Sequence, residues 1–482
     1  MSFIKNYING EFISTSEKYF EKKNPHDNKL MYEVINSREE DLNLAIESSK
    51  RSFEEWYLSP GVERGKILSD IANRLRENSE ILSKLVAEET GKSLKDASGE
   101  VSAAILQAEF FSGEGMRLYG KSLTSSVKGK YSHTIRQARG LAGLIVPANT
   151  PIANIAWKIF PALVCGNTAI LKASEDAPKL AQEIAAIIDA SPLPKGVFNV
   201  LQGDGVTGSL LVNHKDIDLI SFTGSTKVGL RIAQDAAKSL KRVSLELGGK
   251  NTLVICDDAD IDKAVDWAVL SAFSNAGQRC AAGGKFLIFK EIYEDFLYKF
   301  TQKTKDLKLG VYDDCDLGPL ISQRQKEKVL EYIDMAISDG GKVLCGASLP
   351  EDPELLEGNY ILPTIIDGLS VDSKFANLEF FGPLASTHKI SDIQEALKIT
   401  NNSTYGLSSS IHTKNIDTAL WFTRRVRTGV ANVNLGTYGS EPHMPFGGFN
   451  LSGNGTREPG LEALDVYSEL KNITFLNRED LI

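Results

Sequence analysis

Cysteine is scarce: the 482-residue chain has five, at positions 165, 256, 280, 315 and 345, with no CxxC pair among them. Such an odd, scattered set excludes the usual zinc spacings and argues against a disulfide framework. The six histidines form no cluster, so no metal site is expected. No run of about twenty apolar residues occurs, and a membrane-spanning helix is not expected. The opening MSFIKNYINGEF lacks the apolar core of a signal peptide, and the cytoplasm is the expected location. Long basic runs are missing too, and the net charge is −9, so nucleic-acid binding has no electrostatic support.

What is present is an ordinary globular balance, 42% hydrophobic and 24% charged, over a length that exceeds what one core serves. Two or more domains are expected. From about residue 40 to 120, apolar residues recur at the helical period. Strand-like apolar runs then alternate with amphipathic helices: GLAGLIVP with IANIAWKIFPALVCG, TAILKAS with APKLAQEIAAIIDAS, LISFTGS with TKVGLRIAQDAAK. Continuous apolar strands between helices mean a parallel sheet covered on both faces. After LELGG the alternation restarts with NTLVIC, KFLIF, KVLCG, PLASTHKI and LSSSIHT, giving a second α/β domain from near residue 248. GKSLTSSVKGKYSHTIRQARG and SELKNITFL suit neither core and read as exposed strands, a kind that pairs with another subunit.

In NAGQRCAAGG, Cys280 follows the cationic Arg279 among small residues. A cysteine near positive charge with room around it suits a reactive thiolate; a small core hydrophobe is the alternative. GDGVTG, Gly203 to Gly208, matches the GxGxxG dinucleotide pattern, but no carboxylate closes the next strand, and a tight turn explains it as well. Gly224, Ser225 and Thr226 are a better phosphate candidate, because a helix N-terminus follows them. Glu175, with Lys172 three residues before it, suits the hydroxyls of a ribose; with Ser174 and Asp176 it also suits a helix-capping turn. Glu246 ends an apolar strand, where desolvation would raise it toward a general base's range; a strand-end ion pair is the alternative. Asn149, in VPANTP, can donate to an oxyanion or cap the next helix.

Taken together, VPANTP, LKASE, SFTGST, LELGGKN, NAGQRC, EFFGP, YGLSSSIHT and PFGGFNLSG follow the order and spacing of the aldehyde dehydrogenase superfamily, which the chain resembles over essentially its whole length. LELGGK followed by GQxC is the most specific element. The resemblance implies an α/β fold: a Rossmann-type NAD-binding domain (1–119 and 138–247), an α/β catalytic domain (248–448) and a small β oligomerisation hairpin, with bridging segments at 120–137 and 466–482. It further implies a non-acylating, NAD(P)-dependent oxidation of an aldehyde to the acid, by a homodimer or homotetramer.

On that resemblance, Cys280 is the nucleophile, Asn149 with the Cys280 backbone N–H is the oxyanion hole, and Glu246 activates the water that hydrolyses the thioester. Lys172, Ser174, Glu175, Gly205, Phe222, Gly224, Ser225, Leu247, Glu379 and Phe381 hold NAD, with NADP as the alternative. Asn154, Trp157, Ser274 and Arg279 line the aldehyde tunnel, closed by the loop from Leu435 to His443. Relatives that oxidise succinate semialdehyde place arginines at the positions of Trp157 and Ser274. A neutral or hydroxylated aldehyde is therefore expected, with a carboxylated one received by Arg279 as the alternative.

Two departures stand out: Ala148 replaces an aromatic of many members, and FNLSGNGTREPG carries extra residues. Neither is expected to touch the chemical residues. Glu246 argues against a coenzyme A-acylating enzyme, and the lack of a histidine partner motif argues against a cysteine hydrolase. A non-enzymatic relative would have lost Cys280 or Glu246.

Overall fold

The computed structural model describes residues 2–312 and 315–477, so the expected bridging segment's residues 478–482 lie outside it. Five apolar runs form the parallel part of a seven-stranded sheet, in the spatial order Arg242–Glu246, Leu219–Thr223, Leu141–Ile145, Thr168–Lys172, Phe198–Leu201. The last three are buried at every residue, which is why they read as unbroken apolar runs. Asn6–Ile8 and Glu11–Ile13 extend the sheet antiparallel. The strand that comes first among the parallel five lies at their centre, and the chain winds outward to one side and then the other. Between Leu141–Ile145 and Leu219–Thr223 the winding reverses, and a crevice opens at the strands' C-terminal ends.

Helices Pro151–Val164 and Pro178–Asp189 cover one face, backed by Gly61–Glu77, Ser79–Thr90 and Leu94–Glu114. Glu39–Leu58, Gly205–Asn213 and Thr226–Ala237 cover the other. The long helical stretch of the sequence breaks at Asn78, whose side-chain amide donates to the Arg74 carbonyl at 2.8 Å. A second seven-stranded sheet runs Lys342–Cys345, Thr364–Asp367, Leu384–Ile390, Gly283–Phe289, Asn251–Ile255, Ser408–His412, Val430–Val433, parallel except at its first strand.

The two exposed runs meet: Ser468–Leu476 pairs antiparallel with Lys130–Ala138, which also pairs with Ser122–Leu123. Between the second sheet and this one, Ala463–Tyr467 returns to the first unit, where Ala463, Leu464, Val466 and Tyr467 join its core. Among the described residues no helix is long and apolar enough to cross a membrane.

Candidate active site

The crevice is a cleft of about 830 Å³. Of the expected cofactor residues, Lys172, Ser174, Glu175 and Gly205 line it, as do Phe222, Gly224, Ser225 and Phe381. Leu247 and Glu379 do not: Leu247 is buried over Gly229, and Glu379 accepts from the Gly249 N–H at 3.2 Å. Two helices begin at the cleft. Asp204 caps the helix after GDGVTG's first turn, accepting from the Val206 and Thr207 N–H groups at 2.8 and 3.4 Å, so that N-terminus is already satisfied. Ser225 makes no side-chain cap bond to helix Thr226–Ala237, whose first-turn N–H groups can therefore serve an anion.

Lys172 Nζ lies 3.0 Å from Glu175 Oε2, the lysine buried and the glutamate 39% exposed. Burial pushes the Glu175 carboxyl up, but Lys172, a backbone hydrogen bond and Arg324 together outweigh it and hold the group below its usual range. It is an anion at neutral pH. An anionic carboxylate of a kind that suits ribose hydroxyls, a helix N-terminus without a side-chain cap bond among the described residues, and open space beside Gly205, where an added Cβ would meet nothing within 4 Å, fit a dinucleotide.

Helix Ile261–Phe273 runs into a turn in which Asn275, Ala276 and Gly277 are all left-handed, with φ of 54°, 52° and 68°. For a non-glycine residue this costs about 1–2 kcal/mol and persists only where neighbours enforce it. They do: Asn275 Nδ2 donates to the Asn149 carbonyl at 3.0 Å, and Gln278 Oε1 accepts from the Ile321 N–H at 2.9 Å. Cys280 follows. Asn251 Nδ2 donates to its carbonyl at 2.7 Å, and Thr437 Oγ1 donates to the Ala281 carbonyl at 2.7 Å. Asn149 Nδ2 donates to the Gln278 carbonyl at 2.9 Å, which brings its amide onto the cysteine loop.

Two readings of this loop need correction. Cys280 has large neighbours in space, if not in sequence: Leu407, Phe446, Trp157 and Tyr438 gather around it. Nor is it a resting thiolate held by Arg279. Burial, then Glu379 and Glu246, push the thiol up to about 12, and Arg279 opposes them only weakly. The Arg279 guanidinium sits 4.9 Å over the Tyr438 ring, with Asp96 at 3.9 Å.

Glu246 is 3% exposed, and neither carboxylate oxygen has a hydrogen-bond partner among the described residues. Burial, then Glu458, raise its pKa well above the usual carboxylate range, against the pull of Lys158 and Arg457. The departure FNLSGNGTREPG does touch this residue, contrary to the sequence expectation. Gly453 bridges to Glu246, Ser452 O accepts from the Leu247 N–H at 3.0 Å, and Asn454 Oδ1 accepts from the Leu245 N–H at 3.0 Å. Ser452, Gly453 and Asn454 thus cover the edge strand that ends in Glu246.

Among the tunnel candidates, Asn154 is spent locally, donating to Thr150 O and Oγ1 at 2.9 and 2.8 Å. Trp157 stands 5.4 Å from the Phe446 ring in the cluster around Cys280. Ser274 Oγ and Arg279 Nε are buried with no hydrogen-bond partner among the described residues. His443 is exposed at 58%, with the Glu441 carboxylate 4.0 Å from its Nδ1.

Sequence reasoning missed the buried pair Lys158–Glu458 (2.7 Å), with Ser221 at 2.8 Å and Ser244 at 3.1 Å on Glu458, directly behind Glu246. It also missed Asn251 and Gln278. The period of helix Pro151–Val164 carried the signal for Lys158: a lysine on a helix otherwise buried almost throughout.

The family model for the "Aldehyde dehydrogenase family" matches residues 12–473. The chain is 36% identical over 473 residues to an alpha-ketoglutarate semialdehyde dehydrogenase of Haloferax volcanii, covering 97% of this chain and 98% of that one. It is 34% identical to a betaine aldehyde dehydrogenase of Bacillus subtilis, over 97% and 96% of the two. A point mutant of betaine aldehyde dehydrogenase from Staphylococcus aureus, solved in complex with NAD+, superposes with a TM-score of 0.95 at 30% identity over 98% and 96%.

Proposed function

The chain belongs to the aldehyde dehydrogenase family and is an NAD-dependent oxidoreductase acting on aldehydes; on that premise we propose that Cys280, Asn149 and Glu246 carry the chemistry. The carrying observation is their convergence: the Asn149 amide is tied to the Cys280 loop, and Glu246 is buried, unpaired and near enough to raise the thiol. Cys280 Sγ passes its proton to solvent water and attacks the aldehyde carbon, and the Asn149 amide and Cys280 N–H hold the oxyanion. NAD, when bound, accepts the hydride, and a thioester remains on Cys280. Glu246 then takes a proton from the water that attacks the thioester, releasing the acid and the thiol. The buried Lys158–Glu458 pair lies behind it and holds that wall of the site.

Lys172, Glu175, Gly224, Ser225 and the first turn after Ser225 hold the nucleotide in this reading, within a first unit that spans 1–119 and 138–247 beside a catalytic unit of 248–448. Glu175 is anionic, so it accepts from a ribose 2′-hydroxyl and repels a 2′-phosphate. The aromatic wall of Trp157, Phe446 and Tyr438 suits a neutral or hydroxylated aldehyde. A carboxylated aldehyde is the second reading, favoured by Arg279 Nε and Ser274 Oγ, two buried donor atoms with no hydrogen-bond partner among the described residues. One kinetic panel tests both points. NAD is expected to exceed NADP in kcat/KM by about tenfold or more, roughly 1.4 kcal/mol; a preference for NADP overturns the role of Glu175. Uncharged aldehydes are expected to exceed succinate semialdehyde of similar length, and a tenfold preference the other way assigns the carboxylate to Arg279.

We also propose a cytoplasmic homodimer or homotetramer. Five scattered cysteines with no CxxC pair suit a reducing compartment. Strand Ser468–Leu476 is an edge with Leu470, Phe475 and Leu476 exposed, a surface suited to another copy. Analytical ultracentrifugation giving a 52.7 kDa species alone would overturn the assembly.

A further inference from the structure

We propose that Lys92 and Glu100 are positioning residues for the oxyanion site, fixing the peptide that carries Asn149; this rests on the reading of Asn149 as oxyanion donor. Lys92 lies between helices Ser79–Thr90 and Leu94–Glu114, and Glu100 lies within the second. Lys92 Nζ and Glu100 Oε2 are 2.5 Å apart, with side chains 2% and 5% exposed. Charges so buried persist only when their remaining protons and lone pairs are also matched.

Each is matched toward Asn149. Glu100 Oε1 accepts from the Ile152 N–H at 3.0 Å and the Ala153 N–H at 3.4 Å. The carboxylate thus sits on the positive end of helix Pro151–Val164, whose first residue has no N–H to offer. Held there, it places the Lys92 ammonium against the Asn149 carbonyl, to which Nζ donates at 2.7 Å. Asn275, from the strained turn before Cys280, donates to the same carbonyl. With its carbonyl held by two donors, the Asn149 peptide cannot rotate, and its amide is left only side-chain torsions with which to reach the oxyanion.

Stability alone does not explain the pair, since apolar residues of similar volume usually serve a core as well as a buried ion pair does. No apolar residue can donate to Asn149. An oxyanion donor works only within hydrogen-bond range of the place where charge develops, and a displacement of about 1 Å costs on the order of 10²-fold in rate.

The test compares Lys92→Met, the double variant Lys92→Met/Glu100→Gln, and each in an Asn149→Ala background, reading kcat, Tm and NAD affinity. Lys92→Met strands a buried carboxylate and is expected to lower both Tm and kcat. Adding Glu100→Gln removes the stranded charge, so Tm is expected to recover while kcat stays down by about tenfold or more, with NAD affinity unchanged. In the Asn149→Ala background the double change is expected to cost nothing further, because the pair acts through Asn149. If kcat recovers along with Tm, the pair is only structural and the proposal fails. If Asn149→Ala slows the reaction and the double change multiplies that loss, the proposal fails while the oxyanion reading stands. Unchanged acylation in Asn149→Ala overturns the oxyanion reading itself. Should Lys92→Met alone not fold, the double variant carries the comparison.

Discussion

Replacing Cys280 with alanine is expected to abolish aldehyde oxidation and leave NAD binding intact. The thiol packs in the apolar cluster that includes Trp157, Leu407, Tyr438 and Phe446. In the proposed reading the nucleotide is held elsewhere, by the Lys172–Glu175 pair and the turn at Gly224 and Ser225, which line the cleft. Losing a covalent nucleophile costs about 10⁴-fold or more, because the remaining groups only bind and polarise. NADH formation should fall to background while a fluorescence titration returns the parent's NAD affinity; retained turnover would sink the mechanism. The resting thiol also makes a pH prediction. Since burial and two carboxylates push it up to about 12, the thiolate fraction grows throughout the accessible range. Alkylation of Cys280 by iodoacetamide should therefore keep rising from about pH 7 to about pH 10 instead of levelling off near neutrality.

Glu246→Gln is the second large effect: a burst of NADH, then steady turnover reduced by roughly 10²- to 10⁴-fold. Attack and hydride transfer come before the step that needs the base, so acyl enzyme should accumulate and be visible by mass spectrometry. Absence of both burst and acyl adduct would place Glu246 in an earlier step. The raised pKa fixes the direction of the pH dependence. Below that pKa the group is a neutral acid and cannot accept a proton, so wild-type deacylation should climb with pH, and the limb should vanish in Glu246→Gln. Tm at neutral pH should not fall, because neither oxygen loses a partner among the described residues and the variant no longer has to take up a proton on folding.

Much of this was legible along the chain. The parallel strands could be read because they are buried on both faces, and LELGGK with GQxC pointed to the residues proposed as base and nucleophile. The five short strands between Ser2 and Ile35 were not read, since strands of three to six residues show little period. Long-range partners were the larger gap. Glu458 meets Lys158 across 300 positions, and Asn251 meets Cys280 across 29, relations that no local pattern encodes. The protonation state of Cys280 stayed open in the sequence for the same reason: adjacency of Arg279 in sequence says nothing of where its guanidinium turns.

The return of the chain after the second sheet limits modularity. A fragment ending at residue 247 holds every strand of the first sheet, yet it lacks Glu458 and the core residues Ala463, Leu464 and Tyr467. Lys158 would be left a buried cation with no counter-charge, and the edge strand ending in Glu246 would open to water. Recombination between relatives at the apparent domain border must therefore inherit 449–476 from the same parent as 1–247. A crossover that splits them breaks the nucleotide-binding half while leaving each visible sheet whole.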